Sequence, residues 1–115
     1  MNVLSLFDGI SWGQLALVKS GIKYKNYYAC EIDKHAIKVT QANFPKTIQM
    51  GDITKWRDWD LDLSSIDLIF AGFPCQAWSI AGNKLGTDDP RGELALVLLE
   101  ILKEIRRLNP KVKFL

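Results

Sequence analysis

Cysteine and histidine are scarce in this chain of 115 residues, which has Cys30, Cys75 and the single histidine His35. Neither cysteine has a partner at zinc-site spacing, which argues against a structural metal centre. The apolar start is cut short by Asp8 and Gly9 and lacks a basic leader, so it does not read as a secretory signal. With no export signal, a disulfide between the two cysteines is not expected. Long apolar runs are also missing: the greasiest, 94–102, contains Glu100 and falls short of the ~20 residues that a bilayer crossing needs. Charge of one sign is missing too. Fifteen Lys and Arg face thirteen Asp and Glu, a net +2 that suggests no partner. The basic cluster of Lys103, Arg106, Arg107, Lys111 and Lys113 reads as the solvated end of a helix. These absences favour a cytosolic protein.

What is present is ordinary for a folded globular chain: 48% hydrophobic and 24% charged residues. One domain is expected at this length. Residues 2–6 form a short apolar stretch rich enough for a buried strand, Asp8-Gly9 a turn, and 12–20 a helix closed by Gly21. A second strand fits 27–31, and Asp33 caps a helix running to about Asn43, where Pro45 stops it. A third strand fits 47–50. The segment 54–65, with Trp56 and Trp59, reads as a connecting turn or short helix. A fourth strand fits 66–71, apolar on both faces except at Asp67, as expected where helices cover both sides of a parallel sheet. Residues 72–92 are polar and punctuated by Gly82, Gly86, Pro90 and Gly92, a length typical of functional lids. A helix fits 93–108, ended by Asn109-Pro110, and a fifth strand begins at Lys113. This alternation predicts an α/β fold with a doubly wound parallel sheet and right-handed crossovers. On the last helix, Leu96, Val97 and Leu99 widen the apolar face beyond what one sheet requires, so a further covering element is expected there.

In such sheets ligands sit beyond the carboxyl ends of the strands, where strand order reverses. The loop 7–13 follows the first strand. Gly9 permits close backbone approach, although Gly9 and Gly13 are only a partial glycine fingerprint and Gly9 equally suits a tight turn. Glu31 ends the second strand 22 positions after Gly9, near the offset at which an acid receives ribose hydroxyls. It also flanks a helix start and can be read as a capping acid. Asp52 is a candidate acceptor for an adenine amino group, with Ile32 and Ile53 as ring contacts, or a turn residue. Cys30, mid-strand among apolar neighbours, reads as structural. Cys75 follows the fourth strand directly, between Pro74 and Gln76, and reads as an aimed thiol needing partial thiolate character.

Taken in order, Leu6-Phe7-Asp8-Gly9, Glu31-Ile32-Asp33, Gly51-Asp52-Ile53, Gly72-Phe73-Pro74-Cys75-Gln76-Ala77-Trp78-Ser79 and Asp89-Pro90-Arg91-Gly92 resemble the DNA cytosine-5 methyltransferases over essentially the whole chain. The resemblance implies a Rossmann-like sheet of the S-adenosylmethionine-dependent methyltransferase type, truncated after the start of the fifth strand. It implies a cofactor-binding region at 1–71 and a nucleophile loop and helix at 72–110. Cys75 would add to C6 of a flipped-out cytosine, making C5 able to take the methyl group of S-adenosylmethionine. By the same resemblance Phe7, Asp8, Gly9, Glu31, Ile32, Asp52, Ile53, Phe73 and Pro74 would contact the cofactor. Pro74, Gln76, Ser79 and Arg91 would contact double-stranded DNA, Arg91 at a phosphate.

The sequence also departs from the family pattern. Asp8, Ser11 and Trp12 stand in a turn where many members have alanine and more glycines. The chain reaches Leu115 before the family's Glu-Asn-Val motif, which supplies the acid, and before its Arg-x-Arg motif and base-reading domain. The expectation is therefore an N-terminal part of a catalytic domain, inactive alone, found in the cytoplasm of a bacterial or phage-infected cell or, in a eukaryote, in the nucleus. The alternative is a non-catalytic S-adenosylmethionine-binding fragment or one subunit of a split methyltransferase, paired through helix 93–108. A nucleotide binder with an incidental Pro-Cys-Gln is the remaining possibility.

Overall fold

Asn2–Leu6 is the central strand, β1, with Val3, Leu4, Ser5 and Leu6 all buried, because a parallel strand is covered on both faces. The computed structural model describes residues 1–71 and 90–114. Around β1 run β2 (Asn26–Cys30), β3 (Ile48–Gln49), β4 (Leu68–Ala71) and β5 (Lys113–Phe114), all parallel, in the order β3-β2-β1-β4-β5. The chain winds from β1 outward to β3 and then returns to the other side of β1. The strand order thus reverses between β1 and β4, where Leu6 pairs with Ala71.

Period-two alternation divides the core into two layers. Val3, Tyr27, Ala29 and Leu68 join Leu17 of helix α1 (Trp12–Lys19) on one face. Leu4, Leu6 and Ile69 join Leu98, Ile101 and Ile105 of helix α3 (Pro90–Leu108) on the other. Helix α2 (Lys34–Asn43) starts where Asp33 Oδ1 accepts the His35 N–H at 2.9 Å, the cap its sequence predicts. Asp67, the one polar exception at the head of the fourth strand, accepts the Asn2 N–H at 2.8 Å and so ties the starts of β1 and β4 together.

Several boundaries shift from the sequence reading. The region 54–65 resolves into two short 3-10 helices, Ile53–Asp58 and Leu63–Ser65, started by Asp52 and Asp62. Helix α3 begins at Pro90 rather than at 93, because proline at the first helical position loses no hydrogen bond. Strand β3 shrinks to two residues and β4 begins at Leu68, although Ile66 is still fully buried. On α3, Val97 packs on the core while Leu96 and Leu99 stay 46% and 49% exposed, so the widened apolar face is real at two of the three positions. No helix among the described residues is long and apolar enough to cross a membrane.

Candidate functional site

The reversal point carries a cleft of about 120 Å³ lined by Phe7, Cys30, Glu31, Ile32, Gly51, Asp52, Ile53 and Leu94. Beside it, a second hollow of about 350 Å³ is lined by Ser5, Phe7, Asp8, Gly9, Trp12, Gly13, Phe70 and Ala71. Phe7 belongs to both. Every residue of the first cleft except Leu94 follows or ends a strand at its carboxyl edge, so the sheet alone gathers groups that are far apart in sequence.

Glu31 stands at the junction. Its Oε1 accepts the Gly9 N–H at 2.9 Å, and its Oε2 accepts the N–H groups of Ile32 and Asp33 at 3.1 and 2.9 Å. The capping reading of this acid therefore holds, and the residue also lines the cleft. An ionised carboxylate offers about four acceptor positions, so roughly one remains for a ligand. Asp52 Oδ1 accepts both the N–H and the hydroxyl of Thr54, at 2.9 and 2.8 Å, starting the 3-10 helix that follows. Its turn role is thus present, with Oδ2 left for other partners.

Ile32 is 72% exposed at the rim, whereas Ile53 is buried in the floor. A planar apolar group between them would cover the isoleucine that now faces solvent, a gain of up to ~2 kcal/mol for a side chain of that size.

Asp8 lines the second hollow and is tied to the core beneath the turn. The residue is buried, its Oδ1 accepts from Tyr27 OH at 2.9 Å, and its Oδ2 has no hydrogen-bond partner. Burial pushes its carboxyl above the usual range, against hydrogen bonds that lower it. Gly9 has φ +61°, the left-handed region, which supplies a physical reason for glycine there. Gly13 has a different one: a Cβ at this position would lie 3.0 Å from Phe70 and 3.1 Å from Tyr27 OH, so either side chain would have to give by a few tenths of an ångström.

Cys30 was read as structural, and its thiol is buried and donates to the Gly51 carbonyl at 3.0 Å. Burial, reinforced by the nearby Asp52 and Glu31 carboxylates, pushes it up to about 12, so it stays protonated and unreactive at neutral pH. That it also lines the cleft was not foreseen, nor was the part played by Leu94, which arrives from α3. Tyr27 and Gln14 were likewise missed, although a tyrosine on an inward strand face must find a hydrogen-bond partner. Trp56 is buried, with the Arg57 guanidinium 4.3 Å from its ring centre, in keeping with a connecting segment. Phe73, Pro74, Cys75, Gln76 and Ser79 lie outside the described residues. Arg91 enters only as a backbone position in the first turn of α3.

Comparison with known proteins agrees with this geometry. The family model for C-5 cytosine-specific DNA methylase matches residues 1–115. The chain is 43% identical over 105 residues to the type II methyltransferase M1.ScrFI of Lactococcus lactis subsp. cremoris, covering 91% of this chain and 26% of that protein. It is 39% identical over 112 residues to the type II methyltransferase M.Eco47II of Escherichia coli, covering 96% of this chain and 25% of that one. A mutant DNMT2 from Spodoptera frugiperda, solved by crystallography, superposes with a TM-score of 0.61 at 27% identity, over 90% of this chain and 32% of its own. The chain thus spans about a quarter of the length of these curated relatives. With the family model matched from end to end and the expected sheet in place, the chain belongs to the C-5 cytosine-specific DNA methylase family.

Proposed function

We propose that this chain supplies the cofactor cleft and the nucleophile of a DNA cytosine-5 methyltransferase. The observation that carries the reading is the cleft at the reversal of strand order, with an apolar floor and rim and carboxylates at two edges. Its residues fit the adenosine part of S-adenosylmethionine. Phe7, Ile32 and Ile53 would hold the purine, Asp52 Oδ2 would accept from its amino group, and the remaining acceptor position of Glu31 would take a ribose hydroxyl. The adjoining hollow by Gly9 and Trp12 is the larger one and would take the remainder of the cofactor. When bound, the cofactor supplies an electrophilic methyl group.

In this reading Phe73 and Pro74 complete the cofactor side. Cys75, four residues after Ala71, adds its thiolate to C6 of a cytosine turned out of double-stranded DNA. That addition places electron density on C5, which is otherwise a weak nucleophile. Pro74 and Gln76 would hold the base, and Ser79 and Arg91 the DNA backbone. The protein would work where DNA is, in bacterial or phage-infected cytoplasm or in a nucleus.

Exposed Leu96 and Leu99 support a second reading, in which the chain acts only when α3 is covered by a further region or a complementary subunit. Titration of the chain with S-adenosylhomocysteine by calorimetry tests the cofactor half. Binding that is lost in Asp52→Ala is expected; absence of binding to the wild-type chain overturns it. Incubation of the full-length protein with S-adenosylmethionine and DNA containing 5-fluorocytosine tests the nucleophile. A covalent adduct is expected, and one that survives Cys75→Ala overturns the role of Cys75.

A further inference from the structure

The turn between β1 and α1 leaves ordinary L-residue backbone at three of five positions: Phe7 at φ 57°, Gly9 at φ 61° and Ser11 at φ 69°. For Phe7 and Ser11 that conformation is unfavourable, and it persists only where the surroundings over-determine it. Some of the restraints are bonds to the turn's backbone: the Asp8 N–H to the Cys30 carbonyl at 3.0 Å, the Gly9 N–H to Glu31, and Thr40 Oγ1 to the Gly9 carbonyl at 3.3 Å.

Beneath the turn is a buried side-chain network. The Asp8 carboxylate has two hydroxyls bonded to Oδ1, Tyr27 at 2.9 Å and Ser11 at 3.3 Å, and the Ser5 hydroxyl is close enough to favour its charged form as well. Ser11 has one proton and a nearer acceptor, Gln14 Oε1 at 3.0 Å. Tyr27 is therefore the closer donor to a carboxylate whose other oxygen has no partner. Gly13 makes room for it: a Cβ there would meet the tyrosine oxygen at 3.1 Å. Tyr27 is 2% exposed, so its hydroxyl meets Asp8 inside the fold and not in solvent.

We propose that Tyr27 is a positioning residue for the cofactor cleft: its hydroxyl, acting through Asp8, holds the turn in the shape that presents Phe7 to the cleft and the Gly9 N–H to Glu31. The functional half of this rests on the cofactor reading above. Tyr27→Phe keeps the ring and its tilted contact with Tyr24, at 5.7 Å between centroids, and removes only the oxygen.

Two measurements on the chain separate the two claims. In proton-exchange experiments followed by nuclear magnetic resonance, the Gly9 amide of Tyr27→Phe is expected to exchange about tenfold faster than in wild type, as the turn opens. By calorimetry, affinity for S-adenosylhomocysteine is expected to fall about five- to tenfold, and adding Tyr27→Phe to Asp8→Leu, which has no acceptor, is expected to produce no further loss. A mere packing role for the ring predicts neither the amide change nor the coupling. A Gly9 amide unchanged in Tyr27→Phe, or an equal loss of affinity in the Asp8→Leu background, overturns the role given to Tyr27. A wild-type chain that takes up no S-adenosylhomocysteine overturns the cofactor reading, while the amide measurement still decides whether Tyr27 holds the turn. Should Tyr27→Phe fail to fold, Asp8→Leu, which removes the acceptor at similar volume, probes the same bond from its other end, and a Gly9 amide unchanged there overturns the proposal.

Discussion

Glu31 Oε1 accepts the Gly9 N–H at 2.9 Å across 22 residues of sequence, joining the turn after β1 to the end of β2. The same carboxylate takes the Ile32 and Asp33 N–H groups on its second oxygen. It is therefore already oriented by three backbone donors before any ligand arrives, which lowers the ordering cost of binding.

Glu31→Gln replaces one acceptor oxygen with an amide donor. The new NH₂ group must face either Gly9 N–H or the N–H groups of Ile32 and Asp33. A loss of about 1–2 kcal/mol in stability is expected from urea denaturation, moderated by the partial exposure of the site. Affinity for S-adenosylhomocysteine is expected to fall by about tenfold or more, read by calorimetry. Unchanged stability would mean that these bonds contribute nothing net.

Glycine substitutions separate two kinds of requirement. Gly9→Ala meets open space but must hold φ +61°, so a cost of about 1 kcal/mol is expected. Gly13→Ala has no backbone objection but pushes on Phe70 and Tyr27, for an expected cost of about 1–3 kcal/mol. The second, not the first, should also disturb the Tyr27 hydroxyl bond to Asp8, visible in the tyrosine ring resonances.

Cys30 gives a pH signature. Its thiol titrates near 9.0 when unfolded and is pushed up to about 12 in the fold, so the folded chain keeps the proton that the unfolded chain gives up. The stability this contributes is full below pH 9 and is lost as pH rises toward about 12. Relative to Cys30→Ala, wild type should lose its advantage over that window in denaturation measured at successive pH values. At pH 8, a thiol reagent should leave Cys30 unmodified until the chain unfolds.

Asp8 shifts in the same direction as Cys30, but its window lies on the acid side. Burial raises its carboxyl above 3.8, so the folded chain binds the proton more tightly than the unfolded one, and the resulting stability is lost as pH rises above about 4. Asp8→Asn should therefore gain on wild type as pH rises through the range above about 4. A flat difference across that range would show that the hydrogen bonds offset the burial.

Leu96 and Leu99 are exposed on α3 and make no demand on the core. Leu96→Glu with Leu99→Glu should alter stability by no more than about 0.5 kcal/mol each. If this face is a docking surface, sedimentation should show weaker association with a covering region, or less self-association of the isolated chain.

The sequence was enough for the architecture, because parallel strands buried on both faces must read as short apolar runs and the punctuation between them is local. Residues 2–6 as a strand, the Asp33 cap and the stop of α3 just before Asn109 all depend on chemistry within a few positions. Gly9 and Glu31 were also legible, since their separation follows from the length of one strand-helix-strand unit. The tertiary structure decided what each group does there. Only the packed sheet brings Tyr27 under Asp8, turns the Cys30 thiol toward Gly51, delivers Leu94 from α3 to the cleft and makes Gly13 a contact point for Phe70. These pairings join residues 19 or more positions apart, and no local propensity encodes them. They arise because closing the sheet puts polar groups where water cannot reach, and each then needs a partner within the protein.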